Sequence, residues 1–340
     1  MKIEESSNTS LDKPQGQKAK VSTLAILAFT LSIMSITSIF LSYHFVLCVA
    51  ISAIIVGCVA LILNRRRQEK LRGKSLAVIG LVISLIWIVS LSTFLVYVMP
   101  LVYEVKQNAQ FFYIYGAIEL FNSEFDGYPP SNAMDEDGRS YCGSMKLCEA
   151  MMGRDLQGFH TGSKFRADGL DESGAFLYDP NTLEYRKGPY VPDASSYPYR
   201  LKDLYEDVGS FDGNEYVLCD IFRRVTHIDT DKKIGMPILY YKADTSKTAH
   251  DVNDPNNPEN IYNYRDNHAL LALGVPGKPG QKHPLYEDPK IFYEIAINDR
   301  VAEPNVPNRK DTYILLSAGL DGLYGTEDDI TNFYFRWKPK

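Results

Sequence analysis

The first hundred residues are dominated by long uncharged stretches, whereas the rest of the chain alternates short apolar runs with polar turns. No Asp, Glu, Lys or Arg occurs in residues 21–63, and a second uncharged run covers residues 76–102. About 20 helical residues cross the hydrocarbon core of a bilayer, so the first run is long enough for two spans and the second for one. Residues 42–44, Ser-Tyr-His, favour the membrane interface and mark the break between the first two spans. The pattern predicts three transmembrane helices within residues 21–99.

A basic loop over residues 64–75 separates the second and third predicted spans. It holds six Lys or Arg residues and one Glu, and loops with this charge bias stay in the cytoplasm. The sequence therefore predicts a cytoplasmic tail over residues 1–20 and an extracytoplasmic region beyond residue 99. We expect a multi-pass protein of the bacterial inner membrane.

The third predicted span continues into an amphipathic helix. Apolar residues recur at intervals of three and four along one face of this helix: Phe111, Ile114, Ile118, Phe121 and Phe125. This spacing is typical of a helix that buries one side. Gly127, Pro129 and Pro130 favour its termination. We predict a stalk helix within residues 100–130 and an extracytoplasmic head over residues 131–340.

The head combines short strand-like runs with long stretches rich in Gly, Pro, Asn and Asp. The runs with β-branched or aromatic character are Tyr216–Leu218, Met236–Lys242, His268–Ala272, Ile291–Ile297 and Asp311–Ser317. Turn residues bound each of them, which favours strands. Residues 131–230 and 248–290 form large loop insertions. The expected fold class is therefore α+β, with a long helix packed on an antiparallel sheet.

The charge of the head and the absence of catalytic motifs exclude several functions. The chain carries a net charge of −6, and residues 101–340 alone carry −12; a surface this acidic repels phosphate backbones, so we expect no nucleic-acid partner. No P-loop, G-x-S-x-G or HExxH motif occurs. His227 with Asp229 and Asp231 has the composition of a general base and its carboxylate, but such a cluster is more often a surface turn. We expect no enzymatic activity.

Three cysteines lie in the predicted extracytoplasmic head, where disulfides persist. Cys142 and Cys148 are candidates for a disulfide that closes a small loop. Cys219 is then left over, either buried or paired with another chain. No C-x-x-C pair or nearby His supports a zinc site.

Three segments of the head resemble the major pseudopilin (protein G) of bacterial type II secretion. Residues 117–129, from Ala-Ile-Glu-Leu-Phe to Phe-Asp-Gly-Tyr-Pro, resemble the end of the family's long helix. Residues 235–241, Gly-Met-Pro-Ile-Leu-Tyr-Tyr, resemble a strand of its sheet. Residues 317–333 resemble its C-terminal Ser-x-Gly-x-Asp-Gly…Asp-Asp-Ile…Asn loop. The resemblance implies a pseudopilin-like head, enlarged by the two insertions.

The third segment also predicts a metal site. In the pseudopilin family this loop binds calcium, and Asp321, Asp328 and Asp329 fall on its acidic positions. Calcium prefers six to eight oxygen ligands in flexible geometry, and a Gly-containing loop with three carboxylates supplies such ligands. The alternative is an Asp/Gly turn with a solvated acidic face.

Residues 21–95 resemble a bacterial multi-span membrane domain of unknown function, whereas a pseudopilin has a single span. The combination favours a non-enzymatic, membrane-anchored component of a type II secretion or pilus-like assembly. Its expected partners are pseudopilins or secretion-platform proteins, together with the lipid bilayer. The alternative is a membrane-tethered extracytoplasmic receptor that binds an envelope ligand through its insertions.

Overall fold

The computed structural model of the protein describes residues 23–37, 51–59, 61–62, 74–298, 300–301 and 306–333. Its internal contacts divide the chain into two units, Met1–Met99 and Pro100–Lys340. The second unit is called the head below.

The first unit consists of apolar helices in its described part. These are α1 (Thr23–Thr37), α2 (51–59) and α3 (Lys74–Thr93), and a π-helical turn (Phe94–Val98) follows α3. Small residues allow α1 and α3 to approach closely, since a Cβ atom added to Gly80 would lie 3.2 Å from the carbonyl oxygen of Ala28. Close contacts through small residues are typical of helices packed in a membrane.

One helix in the described part of the chain, Ala77–Phe125, is long and apolar enough to cross a membrane. The sequence predicts three spans. The first two are described only in part, because the interfacial break at residues 42–44 and most of the basic loop lie outside the described residues.

The head begins with the long helix α4 (Met99–Phe125), which directly follows the π-helical turn. Six further α-helices in the described part of the head are shorter: α5 (Gly143–Met152), α6 (Asp193–Ser196), α7 (Leu201–Leu204), α8 (His268–Leu271), α9 (Pro284–Glu287) and α10 (Lys290–Ala296). The strands are β1 (Phe159–His160), β2 (Arg186–Lys187), β3 (Pro198–Arg200), β4 (Tyr216–Leu218), β5 (Val225–Thr226), β6 (Lys233–Ile234), β7 (Leu239–Lys242), β8 (Tyr313–Ser317) and β9 (Ile330–Thr331).

A small antiparallel sheet with the order β7-β8-β9 lies at the centre of the head. Leu239 pairs with Leu316, and Leu316 pairs with Thr331 on its other side. The two-stranded sheet β3-β4 adjoins β7 through a bridge between Cys219 and Pro237. Helices and antiparallel sheets thus confirm the α+β class.

The strands of the central sheet bury both of their faces, because successive side chains point to opposite sides. Tyr240, Tyr313 and Leu315 join the cluster that contains the buried face of α4. Leu239 and Leu316 join the second cluster, which α8, α9 and α10 cover. The sheet therefore separates two hydrophobic cores.

Helix α4 buries the apolar face that its sequence predicts. Phe111, Ile114 and Phe121 are almost fully buried against the head. Two glutamines that the pattern assigns to a polar face are also buried. The Gln107 amide donates to Gln110 Oε1 at 2.9 Å, the Gln110 amide donates to the carbonyl of Cys219 at 2.8 Å, and the Ile221 N–H donates to Gln107 Oε1. The helix ends at Phe125, where Asp126 takes a positive φ of 52°.

All ten residues of α5 are buried, so residues 131–230 form part of the core rather than an appended loop. The Asn267 side chain bonds the N–H of Ser144 and the carbonyl of Tyr240, which joins α5 to β7. The Lys146 ammonium donates to the carbonyls of Asn132 and Met134. Burial lowers the pKa of Lys146 to about 8.

Two of the predicted strands are helices in the structure. His268–Ala272 forms α8, and Ile291–Ile297 largely falls in α10. In α10 the buried residues Phe292, Ile295 and Ala296 follow helical rather than alternating spacing, and Pro289 at the N-terminus has a φ suited to a helix start. The β-branched and aromatic composition predicted strands, but tertiary packing overrode that preference.

We predict that Ile118→Ala lowers the free energy of unfolding of the head by about 2–5 kcal/mol, because the side chain is fully buried and its truncation leaves a cavity. Leu120→Ala is the control: Leu120 lies on the same helix but is 56% exposed, so its effect is expected within about 0.5 kcal/mol. Pulse proteolysis of the full chain in urea measures both. Equal effects of the two substitutions would contradict the packing of α4.

Candidate metal site

The three aspartates of the predicted calcium site lie in one loop that connects two paired strands. The loop covers residues 318–329 and joins β8 to β9, which pair through Ser317 and Ile330. Because the strands are antiparallel, the end of the loop returns to its beginning. The hairpin thus places Asp321 near Asp328 and Asp329.

Gly319 allows this close return of the chain. Its φ is +63°, and an added Cβ atom would lie 2.1 Å from the carbonyl oxygen of Asp328. Any side chain at this position would displace Asp328, so the loop geometry requires glycine.

Hydrogen bonds hold the three carboxylates in place. The N–H of Asp321 donates to Asp328 Oδ2 at 2.8 Å, and the Thr326 hydroxyl donates to Asp328 Oδ1 at 2.8 Å. The N–H of Leu323 donates to Asp321 Oδ1 at 2.7 Å. Asp329 Oδ2 accepts the N–H of Gly325 at 2.7 Å. The loop is therefore organised around its acids.

Asp329 carries a buried oxygen without a partner. The residue is 7% exposed, and its Oδ1 has no hydrogen-bond partner among the described residues. Burial raises the pKa of Asp329 well above its usual value, and the charges of Asp328 and Asp321 raise it further. Burial also raises the pKa of Asp321, with Asp328 adding to the shift. A divalent cation would relieve both effects, since it supplies the missing partner and favours the ionised carboxylates.

The ligand atoms of the three acids are not all in close contact. Among the described residues, the ligand atoms of Asp203, His227 and Asp229 lie within 4.8 Å of one another. Those of Asp321, Asp328 and Asp329 do not form such a cluster. The carboxylate oxygens of the loop are hard donors, which calcium, magnesium and manganese all accept.

The cluster around His227 is a structural turn. The N–H of Asp229 donates to His227 Nδ1 at 3.2 Å, and the N–H of Asp231 donates to the His227 carbonyl. The His227 Nε2 atom lies 3.8 Å from Asp203 Oδ2. The Asp229 carboxylate also lies within 4.8 Å of the other two groups. The backbone hydrogen bonds show that a turn brings these residues together.

Asp220 anchors the start of the loop 318–329, called the metal loop below after its candidate site, to the rest of the head. Its Oδ2 accepts the hydroxyl proton of Ser317 at 2.8 Å, and its Oδ1 accepts the N–H groups of Met236 and Phe222. Burial raises the pKa of Asp220 to about 7. The sequence gives no signal for this contact, because Ser317 is distant along the chain.

The predicted disulfide between Cys142 and Cys148 is not formed, and both thiols are free. Cys142 caps α5 and Cys148 lies six residues later, about 9 Å along a helix axis. A disulfide requires Cα atoms roughly 4.4–6.8 Å apart. Cys219 is fully buried, which is one of the two outcomes expected for it.

Asp135 is a structural residue of the head. Asp135 is buried and accepts N–H groups from Asp137, Arg139 and Ala167. These backbone bonds hold the pKa of Asp135 below its usual value despite its burial. Asp135 therefore joins two parts of the first insertion.

A groove of about 730 Å³ adjoins the metal loop. Helix α4 contributes Glu104, Phe112 and Tyr115 to its lining, and the C-terminal region contributes Asp328 and Phe333. We call it the acidic groove. Its aromatic and carboxylate lining lies next to the site that would hold the cation.

Comparison of the chain with protein-family models, curated proteins and solved structures finds no significant match. The resemblance to pseudopilins therefore depends on the segments quoted above.

We predict that Asp220→Asn changes the pH dependence of stability. The pKa of Asp220 in the folded protein lies above its usual value of 3.8. Its contribution to the free energy of unfolding is therefore fully present below pH 3.8 and is lost as pH rises through 7. Asn keeps one acceptor oxygen for the N–H groups of Phe222 and Met236, its amide can donate to the Ser317 hydroxyl, and it does not ionise. The variant should therefore gain roughly 4 kcal/mol of stability relative to wild type across this interval. Urea unfolding of both proteins between pH 4 and 8 measures the difference; parallel pH profiles would contradict it.

Proposed function

We propose that this protein is a non-enzymatic, membrane-anchored component of a type II secretion or pilus-like assembly. Three spans hold it in the bacterial inner membrane with the N-terminus in the cytoplasm, and the head is extracytoplasmic. Pseudopilins or secretion-platform proteins are its partners. A calcium ion stabilises the C-terminal loop of the head.

The apolar helices of the first unit support the anchoring. The helix Ala77–Phe125 has the length and composition of a membrane span. Small residues between α1 and α3, such as Ala28, Ala77 and Gly80, match the packing of several helices within a bilayer.

The observation that carries the proposal is a second apolar face on α4, opposite the buried one. We call it the outer face, and it consists of Leu101, Val105, Phe112, Gly116 and Leu120. Phe112 is 73% exposed. Asn108 and Glu119 are the polar residues on this side of the helix. A helix that covers one face with its own head and exposes large apolar side chains on the other resembles an element that packs against a partner helix.

Lipid does not cover the outer face along its whole length. The uncharged run ends before Glu104, which marks the polar boundary of the bilayer. Phe112 lies eight residues beyond Glu104, about 12 Å along the helix, and Leu120 lies about 24 Å beyond it. A protein partner is therefore the expected cover for this part of α4.

The buried, unpartnered oxygen of Asp329 supports the calcium ion. Asp321, Asp328 and Asp329 would hold it, together with carbonyl oxygens of the same loop. The ion would fix the hairpin whose aspartates line the acidic groove, so it would also fix the surface beside the outer face.

A second candidate function is the membrane-tethered receptor. The volume of the acidic groove, about 730 Å³, lies within the range of small-ligand sites. The sequence assigned ligand binding to the insertions, whereas Phe222 is the residue of the insertions that lines this groove. In this alternative the groove holds an envelope ligand and the outer face has no protein partner.

We predict that a photo-crosslinking amino acid placed on the outer face at Phe112 or Leu120 yields adducts with pilins, pseudopilins or secretion-platform proteins in cells at native expression. The reason is that both side chains are exposed and apolar beyond the membrane boundary. Mass spectrometry of the adducts identifies the partners.

The matched control places the same crosslinker at Lys278, an exposed loop residue of the head. Adducts with the same partners from Lys278, or adducts from Phe112 and Leu120 with other envelope proteins alone, would favour the receptor.

We predict that calcium at about 100 times its Kd stabilises the head by about 2.7 kcal/mol, which corresponds to a rise in Tm of roughly 5–10 °C. Asp328→Asn should abolish the rise, because it removes one anionic ligand. Near-ultraviolet circular dichroism of the full chain in detergent records the melting.

Glu327→Gln is the control for this experiment, since Glu327 is an exposed acid of the same loop outside the proposed ligand set. It should retain the full response to calcium. A Tm that calcium and a chelator leave unchanged would show that the loop is an acidic turn.

A further inference from the structure

A second groove lies on the other side of α4 from the acidic groove. It has a volume of about 390 Å³ and is lined by α4 together with α6, β3 and residues in and around the hairpin β5–β6. Four basic side chains line it: Lys106, Arg223, Lys232 and Lys233. We call it the basic groove.

The basic groove is an exception on an acidic head. Residues 101–340 carry a net charge of −12, yet one acid, Asp220, lines this groove. The Asp220 carboxylate already accepts three hydrogen bonds from the protein. The four basic residues are exposed and form no ion pair with any residue that the structure describes, and the Lys233 ammonium donates to the neutral Thr226 hydroxyl. Their charges are therefore available to an anion.

Tyrosines complete the lining and give it an amphipathic character. Tyr103 contacts the ring of Phe222 at 5.9 Å, and the Lys106 ammonium lies 5.9 Å from the Tyr103 ring centre. Tyr113 and Tyr199 also line the groove. Tyrosine next to lysine or arginine is typical of segments at the membrane–water interface.

The position of the groove along α4 matches the edge of the predicted span. The uncharged run ends before Glu104, and Lys106 is the first basic residue after it. Lys106 lies about 9 Å beyond Pro100 along the helix. Arg223 and Lys232 line the same groove as these helix residues. They therefore lie at a similar height along the axis of α4.

We infer that the basic groove binds the phosphodiester headgroup of an anionic phospholipid and seats the head on the membrane surface. Lys106, Arg223, Lys232 and Lys233 contact the phosphate, and the tyrosines lie between headgroup and water. The inference rests on the membrane anchoring in the proposed function, but not on assembly with partners.

The test uses the full chain in nanodiscs of phosphatidylcholine alone or with one third phosphatidylglycerol, at fixed ionic strength. Hydrogen–deuterium exchange of residues 222–235 is expected to slow when phosphatidylglycerol is present. Each basic side chain near an anionic surface contributes roughly a fivefold gain in affinity, so Lys106→Glu with Lys232→Glu should abolish the slowing.

Lys278→Glu with Lys290→Glu is the matched control, because it makes the same change in net charge at exposed lysines outside the groove. It should retain the slowing. Loss of the slowing in this control, or its absence in wild type, would overturn the inference. Inorganic phosphate that slows exchange equally in phosphatidylcholine nanodiscs would assign the groove to a free anion instead.

The same experiment distinguishes a failure of the proposed membrane anchoring from a failure of the headgroup site. A chain that does not remain with the nanodiscs contradicts the anchoring, whereas a chain that remains but shows no lipid-dependent exchange contradicts only the headgroup site.

Discussion

Two neighbouring glutamines fix the rotation of α4 against the head, and every candidate surface depends on that rotation. Gln107 and Gln110 bond to each other and to the backbone after β4. Because successive residues of a helix are turned by about 100°, this contact decides which apolar face is buried and which becomes the outer face. It also sets the acidic and basic grooves on separate sides of the helix. Buried amides without these partners would carry a desolvation penalty, which makes other rotations unfavourable.

Buried ionisable side chains of the head form hydrogen bonds with backbone groups. Lys146 donates to carbonyls, whereas Asp135 and Asp220 accept N–H groups. Asp329 differs, since one of its oxygens has no protein partner among the described residues. That contrast is the reason to propose a cation in the loop of residues 318–329 rather than in another acidic turn of the described chain.

The sequence predicted those elements whose signal is local. Strands β4, β7 and β8 follow short β-branched or aromatic runs between turn residues, and the buried face of α4 follows from its spacing. His268–Ala272 and Ile291–Ile297 have similar composition, but packing against the central sheet makes them helical. The aspartates of the metal loop share one motif and were predictable as a set. The burial of Asp329 was not, nor was the contact of Asp220 with Ser317, 97 residues away.

The buried helix α5 has a consequence for the order of folding. Its N-terminus is bound by Asn267, which lies 123 residues later in the chain, and β7 pairs with the distant β8. Contacts of such sequence separation close large loops and form slowly. During synthesis α5 is complete long before Asn267 and β8 are made. Its apolar surface is therefore buried only in a late step of folding. A chain that stops before β8 lacks the centre of both cores, so a folded head requires synthesis through β8.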